Sequence, residues 1–404
     1  MCLYNKLNGS YGCQNSKTLN GILKTEFGFQ RFVVSDWFAQ HTGTASAQAG
    51  LDMAMPDSPY WQGNLTIAVA NGSLAQSRLD DMATRIVAAW YHIGADSPSY
   101  PSPGVGIPFD LLAHHALVDA RIPASRINLV QQAVEGHVLV KNVHNALPLK
   151  SPKFVSLFGY DAHVPLVNNP SPGFGKWAGG FQPVNTPEES IVQIFVSPSA
   201  AFIPEAARDG TMITGGGSGA NEPSYISAPY DAFQQRAWED GAFLHWDFVS
   251  QDPSVDGGTE VCIVFINEFS NEGLDRPGLA DPWSDTLVTN VANKCNNTMV
   301  VIHNAGVRLV DRWIDHPNIT AVIYAHLPGQ DSGRALVEIM YGGQSPSGRL
   351  PYTVARNESD YGNLQGPCRA NSPVDFHPQC KWLLSLQDSG GLTGCRQFYR
   401  RSLC

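Results

Sequence analysis

The 404-residue chain is poor in charge: 15% of its residues are Asp, Glu, Lys or Arg. Within that small set 36 acids outnumber 26 Lys and Arg, which leaves a net charge of −10 and a pI near 5.6. Nucleic acid and anionic membrane surfaces are held by clustered cations, so this balance excludes both as principal partners. No stretch approaches the roughly eighteen consecutive apolar residues of a membrane span, so none is expected. The opening residues Met1-Cys2-Leu3-Tyr4-Asn5-Lys6 lack the basic and apolar regions of a signal peptide. No CxxC pair occurs among the eight cysteines, which argues against a zinc site. Repeats and low-complexity tracts are also lacking. The glycine run Gly215-Gly216-Gly217-Ser218-Gly219 lacks the Lys-Ser/Thr ending of a phosphate-binding loop and follows no clear strand. His41, His303 and His326 are scattered, as hydrogen-bonded structural residues are, and no metal or cofactor is implied.

What is present describes a globular protein. The chain is 43% hydrophobic and 10% aromatic, enough for a real core. Six sequons begin at Asn8, Asn64, Asn71, Asn296, Asn318 and Asn357, and they lean toward a secreted, glycosylated protein. Cys2, Cys13, Cys262 and Cys295 lie in the body, whereas Cys368, Cys380, Cys395 and Cys404 crowd the tail; spacing leaves any pairing open.

Hydrophobic periodicity divides the chain. In residues 1–95 a short strand at Met1–Tyr4 precedes a helix near Ser16–Phe27, with Leu19, Ile22, Leu23 and Phe27 on one face. The buried-strand run Phe32-Val33-Val34, a weaker helix near Thr42–Ala49 and a strand Leu51–Met55 follow. Ser73-Leu74-Ala75-Gln76 reads as a capping box opening a longer helix that Gly94 closes. This is βα grammar with about three strands, too few for the eight of a closed barrel. Residues 96–125 are a Pro/Ser-rich linker. A second α/β pattern fills residues 126–355, beginning with a helix near Arg126–Glu135. Its strands are expected at Val138–Val140, Phe154–Phe158, Val261–Phe265, Met299–Ile302 and Ala321–Tyr324. Further helices are expected near Tyr230–Asp240, Ser284–Ala292, Val307–Ile314 and Ser332–Met340, and long loops from Gly159 to Ala228. Such alternation predicts a mostly parallel sheet with helices on both faces. Residues 356–404 form an irregular tail.

Two carboxylates stand where chemistry could be done. Asp36 follows an apolar strand, the position from which barrel enzymes project catalytic groups, although Asp also caps helices. Trp37 beside it offers a flat face to the C–H side of a sugar ring. Glu272 lies in a loop after the strand Val261–Phe265; Asp275, Arg276 and Asp281 nearby are equally plausible from composition. A glycosidase needs two such groups, one attacking the anomeric carbon and one protonating the leaving oxygen.

Several motifs, in order, resemble fungal glycoside hydrolase family 3 β-glucosidases. They are Met1-Cys2-Leu3-Tyr4-Asn5-Lys6-Leu7-Asn8-Gly9, Gly12-Cys13-Gln14-Asn15, Val34-Ser35-Asp36-Trp37, Ala49-Gly50-Leu51-Asp52-Met53, Asn145-Ala146-Leu147-Pro148-Leu149, Asn271-Glu272-Gly273 and Ser347-Gly348-Arg349-Leu350-Pro351. The resemblance covers residues 1 to about 363. It implies the C-terminal part of a (β/α)8 TIM-like barrel followed by an α/β sandwich domain. Asp36 takes the place of the nucleophile and Glu272 that of the acid/base, with Glu268, four residues earlier, as a rival. Met1, Tyr4, Trp37 and Ser218 match residues lining the glucose site. The implied activity is exo-acting, retaining hydrolysis of terminal β-glucosyl residues from a β-glucoside or cello-oligosaccharide, outside the cell. A β-xylosidase of the same family and a non-catalytic glucan-binding remnant are the alternatives. The family's barrel strands before Met1 and its fibronectin type III-like domain have no counterpart here, so the resemblance implies a truncated chain. Oligomeric state is not legible.

Overall fold

The computed structural model describes residues 1–56, 58–100, 114, 119, 121–166, 206–216, 223–270 and 276–362. The chain divides into two compact units, residues 1–104 and 105–404.

The first unit opens with a hairpin, β1 (Lys6–Leu7) antiparallel to β2 (Ser10–Tyr11). Its two-residue turn is Asn8-Gly9, both at positive φ, the pair best suited to a tight hairpin. Asn-Gly signalled this turn in the sequence, where a strand at Met1–Tyr4 was expected instead; of those residues Cys2 alone bridges to Ser35. The helix expected at Ser16–Phe27 winds as a π-helix over Lys17–Glu26, burying Leu19 and leaving Phe27 exposed at its end. β3 (Val34–Trp37) and β4 (Met53–Met55) pair in parallel, with α1 (Thr44–Ala49) between them. α2 (Asn64–Ala70), not foreseen, precedes α3 (Gln76–His92). The capping box expected at Ser73 does not form. Ser73 Oγ donates to Ala68 O at 3.2 Å, closing the preceding turn, and α3 starts after an extended Ala75. Val33, Ala47, Leu51, Leu74 and Met82 make the unit's core.

The second unit is a three-layer sandwich. Its six-stranded sheet has the order β5-β10-β9-β8-β6-β7, comprising β5 (Val138–Asn142), β6 (Phe154–Phe158), β7 (Phe243–Asp247), β8 (Val261–Glu268), β9 (Thr298–Asn304) and β10 (Ile319–Tyr324). Every pairing is parallel except that of β5 with β10, as the alternating pattern predicts. β8, β9 and β10 are buried along their whole length, the signature of central parallel strands. One face packs on α4 (Arg126–Gly136), α5 (Pro229–Asp240) and α7 (Ser332–Met340) through Val134, Phe233 and Leu336. The other packs on α6 (Pro282–Ala292) through Leu287, Val288 and Val291. Burying each such side chain contributes about 1.5–3 kcal/mol.

Two expectations fail here. Val307–Ile314 is not helical: the amide of Leu309 bonds across to Leu279 O at 2.8 Å and Arg308 is wholly buried, so this backbone serves tertiary contacts. The edge strand β7 was missed because its residues, mostly exposed or half-buried, show no apolar alternation.

The strand order reverses between β6 and β8. The chain runs from β6 outward to β7, then returns to the other side of β6. In open α/β sheets the crevice at the carboxyl ends of such a pair is where ligands bind. Among the described residues no helix is long and apolar enough to cross a membrane.

Candidate active site

Asp36 is the penultimate residue of β3, not a residue beyond the strand. Its amide donates to Cys2 O at 2.8 Å, and the amide of Cys2 donates to Val34 O at 2.9 Å, so Cys2 extends the parallel ladder. Asp36 and Trp37 therefore stand at the carboxyl end of a parallel ladder, half-buried, and Tyr4, two residues past Cys2, is exposed. Met1, before Cys2, is exposed on the amino side of that bridge. The Asp36 carboxylate accepts the Trp37 amide at 2.7 Å through Oδ1, which fixes the side chain's rotamer. After Trp37 the chain turns through Phe38 at φ 60°, a left-handed conformation for a bulky residue, and the Phe38 amide bonds Met55 O at 3.0 Å. Strain of this kind gathers at functional sites.

Next to β3 lies a residue to which the sequence alone assigns no role. Asp52 is buried, accepts the Val33 amide at 2.8 Å, and pairs with Lys24 at 2.8 Å and Arg78 at 2.7 Å. Burial depresses the Lys24 ammonium below its ordinary pKa, partly offset by Asp52. The signal that could have found this hub is an Asp inside an apolar strand run, Leu51-Asp52-Met53. Cys2 and Cys13 form a disulfide in this unit; Cys262 and Cys295 form one in the other.

In the second unit, polar side chains gather at the carboxyl ends of β6, β8 and β9, around the reversal point. Asn267 donates to Asp161 at 2.7 Å; Asp161 in turn pairs with His303, whose other ring nitrogen meets Ser332 Oγ at 2.8 Å. Burial pushes the Asp161 carboxyl up. His326 bonds Tyr352 at 3.1 Å and the His41 ring lies tilted against Tyr11 with centroids 3.8 Å apart, so all three histidines serve the packing. Asp281, a catalytic alternative on composition, caps α6 by accepting the Trp283 amide at 3.1 Å and holds Arg208 at 2.9 Å.

Glu268, the rival proton donor, ends β8 and is 0% exposed. It is paired with Arg276 at 3.0 Å and Arg308 at 3.4 Å. Burial outweighs the two arginines and pushes its carboxyl up to about 7. Glu268 is therefore sealed from solvent among the described residues. Glu272, Asp275 and Ser218 lie outside the described residues. No cluster of His, Cys, Asp or Glu that could hold a metal occurs among the described residues.

A half-buried carboxylate at a parallel strand's carboxyl end, and a second unit whose mostly parallel sheet carries helices on both faces, define the class as an α/β protein of two units. Comparison with known families supplies the particular one. Residues 1–89 match the glycosyl hydrolase family 3 N terminal domain and residues 137–379 the family's C-terminal domain. The chain belongs to glycosyl hydrolase family 3. It is 54% identical over 380 residues to the probable beta-glucosidase M of Aspergillus flavus, covering 94% of this chain and 46% of that protein. Among solved structures, a Chaetomium thermophilum beta-glucosidase aligns with TM-score 0.71 and 36% identity, over 92% of this chain and 45% of that one. A Trichoderma reesei beta-D-glucoside glucohydrolase gives TM-score 0.68 and 34% identity, over 88% and 47%. The chain thus spans about half the length of the relatives it matches.

Proposed function

We propose that this chain is the part of a secreted, retaining β-glucosidase that carries both catalytic carboxylates. Residues 1–95 are then the C-terminal portion of a (β/α)8 barrel, residues 96–125 a linker, and residues 126–355 the sandwich domain. The observation that carries the reading is Asp36, presented at the carboxyl end of β3 beside Trp37, where barrel enzymes place their reacting groups. The names of the relatives, at 54% identity, support glucose as the sugar. Two disulfides and exposed sequons support an oxidising, secretory route.

In the first step an Asp36 oxygen bonds to the anomeric carbon as the glycosidic C–O bond breaks, and Glu272 passes its proton to the leaving oxygen. In the second, Glu272 takes a proton from water, whose oxygen attacks the anomeric carbon and frees Asp36. Two inversions give net retention. Trp37 stacks on the sugar ring, while Met1, Tyr4 and Ser218 complete the glucose site. Terminal β-glucosyl units of cellobiose and short β-glucans are the substrates, and no cofactor takes part.

A 2-deoxy-2-fluoro glucoside should trap the ester on the peptide containing Asp36. Asp36→Gly should lower kcat on the order of 10⁴-fold, about 5 kcal/mol of barrier. A label on any other residue overturns the assignment.

A further inference from the structure

β3 and β4 do not keep one register. Val34 pairs with Met53, but the next pair is Trp37 with Met55, so β3 advances three residues while β4 advances two. β3 thus carries one extra residue, a β-bulge, and it falls at Ser35-Asp36. Bulges are over-represented next to active sites, where they re-aim a side chain. The opposite edge of β3 is regular: the Cys2 amide donates to Val34 O at 2.9 Å and the Asp36 amide to Cys2 O at 2.8 Å. The irregularity therefore lies on the β4 side, at the residue read as the nucleophile.

The even spacing of parallel bonds shows what the bulge changes. The ladder enters with the Met53 amide donating to Val33 O at 3.0 Å. Continued without a shift, it would send the Met55 amide to the Ser35 carbonyl and the Trp37 amide to the Met55 carbonyl. In the shifted register Met55 O takes the Phe38 amide instead, at 3.0 Å. The Trp37 amide turns to Asp36 Oδ1, at 2.7 Å. The bulge thus moves one amide from the ladder to the Asp36 carboxylate. Ser35 ties the shifted segment down: its side chain is buried, and its Oγ accepts the Met55 amide at 2.9 Å. Met55 is in this way held through both its amide and its carbonyl by the residues on either side of Asp36-Trp37.

We infer that Ser35 is a positioning residue for the nucleophile: its hydroxyl, bonded to the Met55 amide, holds the bulge in β3 that commits the Trp37 amide to the Asp36 carboxylate. Without that hydroxyl the Met55 amide returns to the Ser35 carbonyl, Met55 O takes back the Trp37 amide, and the Asp36 side chain loses the bond that sets its rotamer. This rests on the reading of Asp36 as the nucleophile.

The test times ester formation in the intact gene product that carries this chain, using 2,4-dinitrophenyl 2-deoxy-2-fluoro-β-glucoside. Inactivation curves give the saturating rate and the half-saturating concentration, and mass spectrometry gives the fraction of chains labelled. Misplacing a catalytic group by an ångström costs roughly 10²-fold. Ser35→Ala should slow ester formation by roughly that factor, with half-saturation changed less than about 3-fold and every chain labelled in the end. Ser35→Thr keeps the hydroxyl and should recover most of the rate. Ser35→Cys keeps the size with a weaker acceptor and should fall between the alanine variant and the wild type, so it decides the matter if the alanine variant does not fold. A wild-type rate in the alanine or cysteine variant overturns the inference. A smaller labelled fraction at an unchanged rate does so too, because that is the mark of a hydroxyl needed only for folding. If the wild type takes its label away from Asp36, the reading of Asp36 fails first.

Discussion

The amide of Asp36 donates to the carbonyl of Cys2, and Cys2 is bonded through sulfur to Cys13. The strand carrying the proposed nucleophile is thus held on one side by a cross-linked residue and on the other by β4. The disulfide ties residues 11 apart, and closing a loop of that size in the unfolded chain is worth about 3 kcal/mol. Cys13→Ser should lower the stability of the first unit by about that amount. Urea denaturation followed by tryptophan fluorescence measures it. A change of only a few tenths would show that the cross-link does not hold the strand.

Asp52 offers a sharper case, because its removal takes the paired carboxylate from Lys24 and one of two from Arg78. Lys24 and Arg78 both pair with it, and the Val33 amide uses its second oxygen. Asp52→Asn keeps the shape but leaves buried charge uncompensated, at a cost of about 3–5 kcal/mol. Asp81, which also pairs with Arg78 at 2.7 Å, offsets part of that. The double variant Asp52→Asn/Lys24→Met should recover stability relative to Asp52→Asn alone, and a thermal scan of the pair decides it.

The pH dependence of stability follows from two buried groups acting in opposite directions. Glu268 faces Arg276, Arg308 and Asp281, and burial raises it from 4.5 to about 7. Between those values the folded state keeps a proton that the unfolded chain has lost, so this group's contribution falls as pH rises. His137 is lowered by burial from 6.5 to about 4, against a partial gain from Ala133 O. Its contribution is present above pH 6.5 and is lost as pH falls toward 4. Between pH 4.5 and 6.5 these two contributions therefore offset one another, while Asp161, also raised by burial, acts in the same direction as Glu268. Glu268→Gln should uncover the histidine and become progressively more stable across that window, by at most about 3 kcal/mol. Denaturation midpoints at four pH values test this; a flat profile in the variant removes His137 from the account.

Legibility tracked burial. Phe154–Phe158 and Ser332–Met340 were readable to the residue, because a fully buried strand and a one-faced helix write their burial into apolar spacing. β8 was recognised at Val261 but ended three residues early, since Asn267 and Glu268 are polar groups buried by tertiary pairing. The same cause hid Asp52 and erased the helix expected around Arg308. Asp36 is a candidate from its place after an apolar run and takes its role from the family resemblance, whereas its place inside β3 comes from the ladder with Cys2 and β4, contacts that spacing does not encode.

The six sequons are not equivalent in the folded chain, and that gives the most accessible test of the secretory reading. Asn8, Asn64, Asn71, Asn296 and Asn357 are exposed. Asn318 is half-buried, and its Nδ2, the atom a glycan would occupy, donates to Ala292 O at 2.8 Å. The hydroxyl of its Thr320 is also committed, donating to Asn297 at 2.6 Å, and Thr320 is 5% exposed. A glycan at Asn318 would disturb the bond between α6 and the entry of β10. Chains modified there should fail to fold and be removed, so the mature protein should carry sugar at some of the five exposed sites and none at Asn318. Enzymatic deglycosylation in heavy-oxygen water, followed by peptide mass mapping, converts each formerly glycosylated Asn to a labelled Asp. Label at Asn318 would overturn the packing described for that turn. Absence of label at all six sites, in protein from its native source, would overturn the secretory route.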